Sequence, residues 1–323
     1  MGDLITGDTP GLLAVAFLIG IVVGLTGMGG GALMTPALIF LGIPPTAAVS
    51  NDLMAAAINK TVGAAVHYKH GSPNLKLAKW LIIGSVPMAF AGAFIIDLIG
   101  SDADQQSFLK RAIGVALLLT ASTFTLRIYL EMRRHLPDDP DRPDPRIRAL
   151  PTLLVGAFGG LLVGMTSVGS GSLIMISLLL LYPALSARKL VGTDLVQAIP
   201  LVLSAAISHM MVTGIDWAVL IPLIIGGSPG TWVGARLANY VSQSILRRGI
   251  AIVLTLTGLG LLKVPPVWVG IIGSAMVILG PALWGVIKHL HGRPAFLHIP
   301  IGIREEPAAE HPRADASPPE PRH

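Results

Sequence analysis

Lys60 stands where a lysine is costly. It falls inside an apolar stretch, nine residues before Lys69, and so about 13 Å along a helix from the basic turn that follows. An ionisable group at such depth in a bilayer costs about 2.5–3.5 kcal/mol on insertion scales and is a functional candidate by default. A buried cation can hold an anion, or it can be the partner of a carboxylate. Two carboxylates occupy similar apolar settings, Asp52 and Asp194. Asp52, Ala56, Asn59, Lys60, Gly63 and His67 recur at spacings that share one face of a helix. Asp194, Ala198, Ala205 and His209 repeat that face without the lysine. The aspartates and histidines suit proton or cation coupling. They equally suit helix N-capping and satisfied interfacial imidazoles.

A second set of polar atoms comes from the backbone. Gly20, Gly24, Thr26, Gly27, Gly29, Gly30 and Gly31 crowd one apolar run, and Gly160, Gly164, Thr166, Ser167, Gly169, Ser170 and Gly171 crowd another. Glycine this dense favours an unwound segment over continuous helix. Unwound backbone is tolerated at membrane depth only where protein or water covers it. Paired breaks in corresponding halves mark a transporter's binding site. Half-helix N-termini there offer N–H groups and positive dipole ends, which suit an anion. The Thr26, Thr166, Ser167 and Ser170 hydroxyls can add hydrogen bonds, or can satisfy the freed backbone.

The elements that must position these groups are membrane spans. The chain is 52% hydrophobic and 13% charged, with a mean hydropathy of +0.71. That is about half the charge of an ordinary soluble protein. A net charge of +5 resides in loops and tails, so a basic nucleic-acid face is excluded. Cysteine is absent, which rules out disulfides and thiolate metal sites. The glycine-broken elements run over 11–42 and about 150–182. Spans are expected over about 46–68, 77–99, 109–130, 190–212, 217–240, 249–262 and 267–287. The Pro- and Arg-rich stretch 133–148 reads as a cytoplasmic linker. Basic residues after His67 and at Arg188-Lys189, with acidic or neutral turns at 101–104 and 213–216, favour reading each break as a re-entrant hairpin and the second half as an inversion of the first; simple kinked spans, which would make the halves parallel, are the alternative. Thr46 is the expected N-cap after Pro44-Pro45.

The halves are a duplication. Asn51-Asp52-Leu53 aligns with Thr193-Asp194-Leu195, His67 with His209, and Leu81–Pro87 with Leu223–Pro229. The GxxxG spacings at Gly20/Gly24 and Gly160/Gly164 read as close helix packing.

These motifs in combination resemble the TauE/SafE, or sulfite-exporter-like, membrane proteins. The residues that carry the likeness are the Gly27-Met-Gly29-Gly30-Gly31 break, Asn51-Asp52-Leu53 with Asn59-Lys60-Thr61, and Val191-Gly192-Thr193-Asp194-Leu195 with Gly214-Ile-Asp216-Trp217. The resemblance covers about 11–262. It implies passage of sulfite, sulfonates, organosulfonates or related small anions, usually outward across the bacterial cytoplasmic membrane. The chain departs from the family in having Asn51 where threonine is commoner, and in its ninth helix and charged tail.

The sequence is therefore read as an all-α polytopic membrane protein. Its parts are transmembrane repeat 1 (1–132), a cytoplasmic linker (133–148), transmembrane repeat 2 (149–262), an additional transmembrane helix (263–290) and a cytoplasmic tail expected to be disordered (291–323). The expected function is secondary transport of a small inorganic or organic anion by alternating access, with an anion channel or a metal-cation carrier as alternatives. The candidate substrate-binding residues are Thr26, Gly27, Gly29, Gly30, Gly31, Asn51, Asp52, Asn59, Lys60, Thr166, Ser167, Gly169, Ser170, Gly171, Thr193, Asp194 and Gln197. Asp52, Asp194, His67 and His209 are the coupling candidates. No catalytic residue, metal site, cofactor or nucleic-acid partner is expected. The expected setting is a bacterial inner membrane with the C-terminus inside, and a homo-oligomer is left open.

Overall fold

The computed structural model describes residues 9–26, 30–67, 73–133, 145–169, 171–238 and 240–290, with no side-chain description at some helix positions, among them 61–67. Every regular element there is helical. In chain order these are α1 (Thr9–Thr26), α2 (Gly31–Phe40), α3 (Pro45–His67), α4 (Leu75–Asp97), α5 (Asp102–Arg133), α6 (Ala149–Thr166), α7 (Leu173–Leu181), α8 (Ala187–Val212), α9 (Trp217–Leu237), α10 (Gln243–Leu261) and α11 (Pro266–Leu290). Six of them, α1, α4, α5, α6, α8 and α9, are long and apolar enough to cross a bilayer. The chain divides into two compact units, Met1–Ser274 and Ala275–His323, and the helices that position the site lie in the first.

Both glycine clusters interrupt a helix, as the composition predicts. α1 stops at Thr26 and α2 starts at Gly31; α6 stops at Thr166 and α7 starts at Leu173. The α3 start differs from expectation. Helix begins at Pro45, whose fixed φ and missing N–H suit a first helical position. Thr46 is thereby one residue inside, and its hydroxyl and N–H bond the Gln106 side chain at 2.9 and 3.3 Å.

Small residues set the helix pairing. α1 packs along α9 and α6 along α4. A Cβ on Gly20 would run into the Gly227 backbone, and one on Gly230 into Phe17; likewise Gly160 abuts Ser85 and Gly92 abuts Gly164. This is the packing the GxxxG spacings predict, with backbones in direct contact. The long helix beside each break thus lies against a helix of the other half, α1 on α9 and α6 on α4.

The same contacts give the helix directions. Leu13, Phe17 and Ile21 meet Gly226, Gly230 and Gly234 in that order, so α1 and α9 run parallel. Ser50 bonds Gly214 O and Asn59 bonds Ser228, so α3 also runs with α9. α2 returns to α3 through a short turn, with Thr35 bonded to Asp52, and runs against it. It follows that α1 and α2 point in opposite directions. α3 and its counterpart α8 are themselves antiparallel: Ser50, near the start of α3, meets Gly214 beyond the end of α8, while Asn74, beyond the end of α3, meets Thr193 near the start of α8.

Candidate functional site

Asp52 is the junction of the two interrupted elements. It lies on α3 and is 3% exposed. Its Oδ2 accepts a hydrogen bond from Thr35 Oγ1 on α2 at 2.6 Å and another from Ser167 Oγ, just past α6, at 2.8 Å. A buried carboxylate needs such donors, because leaving it unpaired costs far more than the bonds supply. Ser167 can reach it because its backbone is left-handed (φ 60°) at the end of α6, with its N–H bonded to Val163 O at 2.8 Å. The approach is tight. A Cβ on Gly31 would collide with the Ser167 carbonyl oxygen, so the start of α2 touches the end of α6 only because residue 31 is glycine.

Between these tips lies a small cavity lined by Gly30, Gly31, Leu53, Ala56, Lys60, Val163, Ser167 and Val202. Its volume of about 10 Å³ has room for about one water. Lys60 and Val202 are counterparts in the duplication, so the cavity carries its cation from one repeat only. Lys60 is within electrostatic reach of both Asp52 and Asp194, and Arg127 on α5 is within reach of Asp194.

The second aspartate is held differently. Asp194 Oδ1 accepts from Gln197 Nε2 at 3.4 Å, and Gln197 Oε1 in turn accepts from Ser85 on α4 at 3.2 Å. At the spacing that relates Asp52 to Asp194, the residue matching Thr35 is Ser177, and its hydroxyl goes instead to Leu173 O at 2.8 Å on its own helix. Neither aspartate caps a helix. α8 is capped by Ser186, which accepts from Lys189 N–H, and both aspartates lie in helix interiors.

The remaining predicted residues divide into those at the cavity and those elsewhere. Gly30 and Gly31 line it. Thr26 and Thr166 return their hydroxyls to their own helices, at Val22 O and Leu162 O, so their part is to satisfy backbone next to the breaks. Thr193 is a joint: it donates to Lys189 O and accepts the Asn74 N–H. Asn59 is turned to α9, where its Oδ1 accepts from Ser228. Asn51 gives its amide to Ala47 O and is fully buried, with Oδ1 unpartnered among the described residues. Gly169 supplies a left-handed turn (φ 100°) between α6 and α7, and Gly171 follows in the same connection. His209 Nε2 lies 2.7 Å from Gly164 O and ties α8 to α6. Since a carbonyl only accepts, that nitrogen carries the proton. Gly27, Gly29, Ser170 and the His67 side chain lie outside the described residues.

Sequence reasoning missed Thr35 and Ser85. The signal for Thr35 was weak but present: it is the one hydroxyl in the ten residues of α2, one turn after Gly31.

Comparison with known proteins agrees in extent with the duplicated region. The family model described as "Sulfite exporter TauE/SafE" matches residues 12–261. The chain is similar to the probable membrane transporter protein YjnA of Bacillus subtilis, 36% identical over 256 residues that cover 78% of this chain and 98% of that protein. It is also similar to the probable membrane transporter proteins YdhB and YunE of the same organism. Identity to YdhB is 28%, covering 78% of this chain and 99% of that protein. Identity to YunE is 24%, covering 75% and 92%. No solved structure matches the chain.

Proposed function

We propose, from the premise that this chain belongs to the sulfite exporter TauE/SafE family and is a membrane transporter, that it carries small oxyanions such as sulfite or sulfonates by alternating access around its two interrupted helices. The observation that carries the proposal is the single carboxylate, Asp52, that receives hydroxyl bonds from both hairpins beside a cavity edged by Lys60. Separation of the hairpins opens the space between Gly31 and Ser167 and presents Lys60, the Ser167 hydroxyl and the backbone amides around Gly30 to an anion. An amide-lined helix start and an ammonium are complementary to an oxyanion and to little else. In this reading each break is a re-entrant hairpin and the repeats are inverted in the membrane, supported by α1 running against α2 and α3 against α8.

The small size of the cavity favours alternation over a standing channel, since a channel needs a continuous wet path. A metal-cation carrier would gather carboxylates or imidazoles, whereas a lysine edges this cavity. Among the described residues no three His, Cys, Asp or Glu come together.

The test is transport by the reconstituted full chain. Saturable uptake of sulfite or a sulfonate into liposomes, accelerated by the same anion on the far side, is the expected result. Movement of divalent cations, or non-saturating anion flux without counter-flow, would overturn it.

A further inference from the structure

Among the described residues, two that are not glycine have a left-handed backbone: Ser167 (φ 60°) and Lys263 (φ 59°). Ser167 uses that geometry to reach Asp52. Lys263 follows α10, where its N–H bonds Gly260 O at 3.0 Å and the Val264 N–H bonds Leu259 O at 3.1 Å, the paired bonds that commonly close a helix. α2 ends with the same pair of bonds, and there the left-handed residue is Gly42 (φ 91°). Helix termination therefore favours glycine at position 263, and a lysine is disfavoured by its Cβ. Its side chain needs another reason to be there.

That side chain lines a cavity of about 390 Å³ between the beginning of α5 and the end of α10, together with Gln106, Ser107, Lys110, Arg111, Leu261 and Leu262. Three cations share this space and no carboxylate lines it. None of the three cationic side chains makes an ion pair or hydrogen bond among the described residues. Asp104, in the first turn of α5, is engaged with Ser101. The Gly258, Leu259 and Gly260 carbonyls near the end of α10 are already taken by the closing bonds. Lys110 is half-buried while Arg111 and Lys263 are exposed, so water weakens their mutual repulsion without removing it, and an anion among them would offset what remains. A guanidinium, two ammonium groups and the Ser107 hydroxyl supply the donors a tetrahedral oxyanion accepts. Leu261 and Leu262 add an apolar wall at a helix end, where a bilayer's headgroups would lie.

We propose that this cavity is a binding site for a phosphate oxyanion, presented either as the phosphodiester of an anionic phospholipid or as free phosphate. The site is separate from the Asp52–Lys60 cavity and requires nothing of the transported substrate.

The experiment measures thermal unfolding of the purified full chain in a neutral detergent. Phosphatidylglycerol, phosphatidylcholine or inorganic phosphate is added to the wild type, to Lys263→Gly and to Lys110→Gln/Arg111→Gln. The expected result is a rise of several degrees in wild-type Tm with phosphatidylglycerol and none with phosphatidylcholine. Lys263→Gly should be more stable than wild type on its own yet lose most of that response, and the double variant should lose it too. An equal rise with inorganic phosphate identifies free phosphate as sufficient, and a rise with the lipid alone identifies the headgroup. No rise in wild type with either, or the same rise in the variants as in wild type, overturns the proposal.

Discussion

Ser167 and Asp52 are separated by 115 positions in the chain and by 2.8 Å in space. One lies at the second break, just past α6, and the other on α3, the helix after the first interrupted element. Their bond, with that of Thr35, makes a buried carboxylate the common anchor of both hairpins.

Removing one donor tests that anchor. Ser167→Ala leaves Asp52 with Thr35 alone and should cost about 1–3 kcal/mol, the range for a buried charged group losing a hydrogen bond. Thr35→Val should cost a similar amount, and Thr35→Ser much less. Thermal unfolding of the four proteins decides it; equal stability of Thr35→Val and wild type would show that the bond carries no weight.

Neighbouring glycines should differ sharply. Gly31→Ala places a Cβ against the Ser167 backbone, whereas a Cβ on Gly30 would find its nearest neighbour, Val23 Cγ2, at 3.5 Å. Transport should collapse in Gly31→Ala and survive in Gly30→Ala. If the two variants behave alike in liposomes, the hairpin tips do not meet as described.

Lys60 can be examined by a double-mutant cycle. Lys60→Met removes the cation from between Asp52 and Asp194, and transport of the anion should fall by tenfold or more, a loss of at least about 1.4 kcal/mol in transition-state terms. Adding Asp194→Asn should recover part of the stability lost, because one uncompensated carboxylate is gone. Additive losses in Tm would mean that Lys60 and Asp194 are not coupled.

The two aspartates should not be equivalent despite their matching places in the sequence motifs of the two halves. Asp52→Asn disturbs two short bonds from two elements, while Asp194→Asn disturbs one long bond from its own helix. The larger fall in Tm is expected for Asp52→Asn. The reverse order would assign the anchoring role to Asp194.

Tyr182 provides a control away from the cavity. Its hydroxyl lies 2.6 Å from Thr152 Oγ1 and accepts the Arg148 N–H at 2.9 Å, clasping the base of the second hairpin. Tyr182→Phe should lower stability by about 1 kcal/mol and leave anion selectivity unchanged. A change in selectivity would place the clasp within the transport machinery.

Hydropathy and glycine density were sufficient to show the membrane class and the two broken helices, and the GxxxG spacings marked faces of α1 and α6 for close packing without naming their partners. These depend on composition and short periods, which local backbone physics reads directly. Most helix ends were legible to within a few residues, but α5 begins at Asp102 where 109 was expected and α10 at Gln243 where 249 was expected; α3 starts at Pro45, before Thr46, because Pro is pre-shaped for a first turn. The site was legible as a list but not as an arrangement. Asn59 shares a helix face with Lys60 and yet turns to Ser228, because a helical face is broad and α9 competes for it. Thr26 and Thr166 stood out in sequence but serve their own helices, while Thr35, hidden in an apolar arm, reaches Asp52. What the amino-acid order determined by itself was which segments cross or break and which residues are too polar to be there by chance. Only the tertiary structure decided which of them meet, since partners more than a hundred positions apart are chosen by the packing of glycine-lined helices and not by any local pattern.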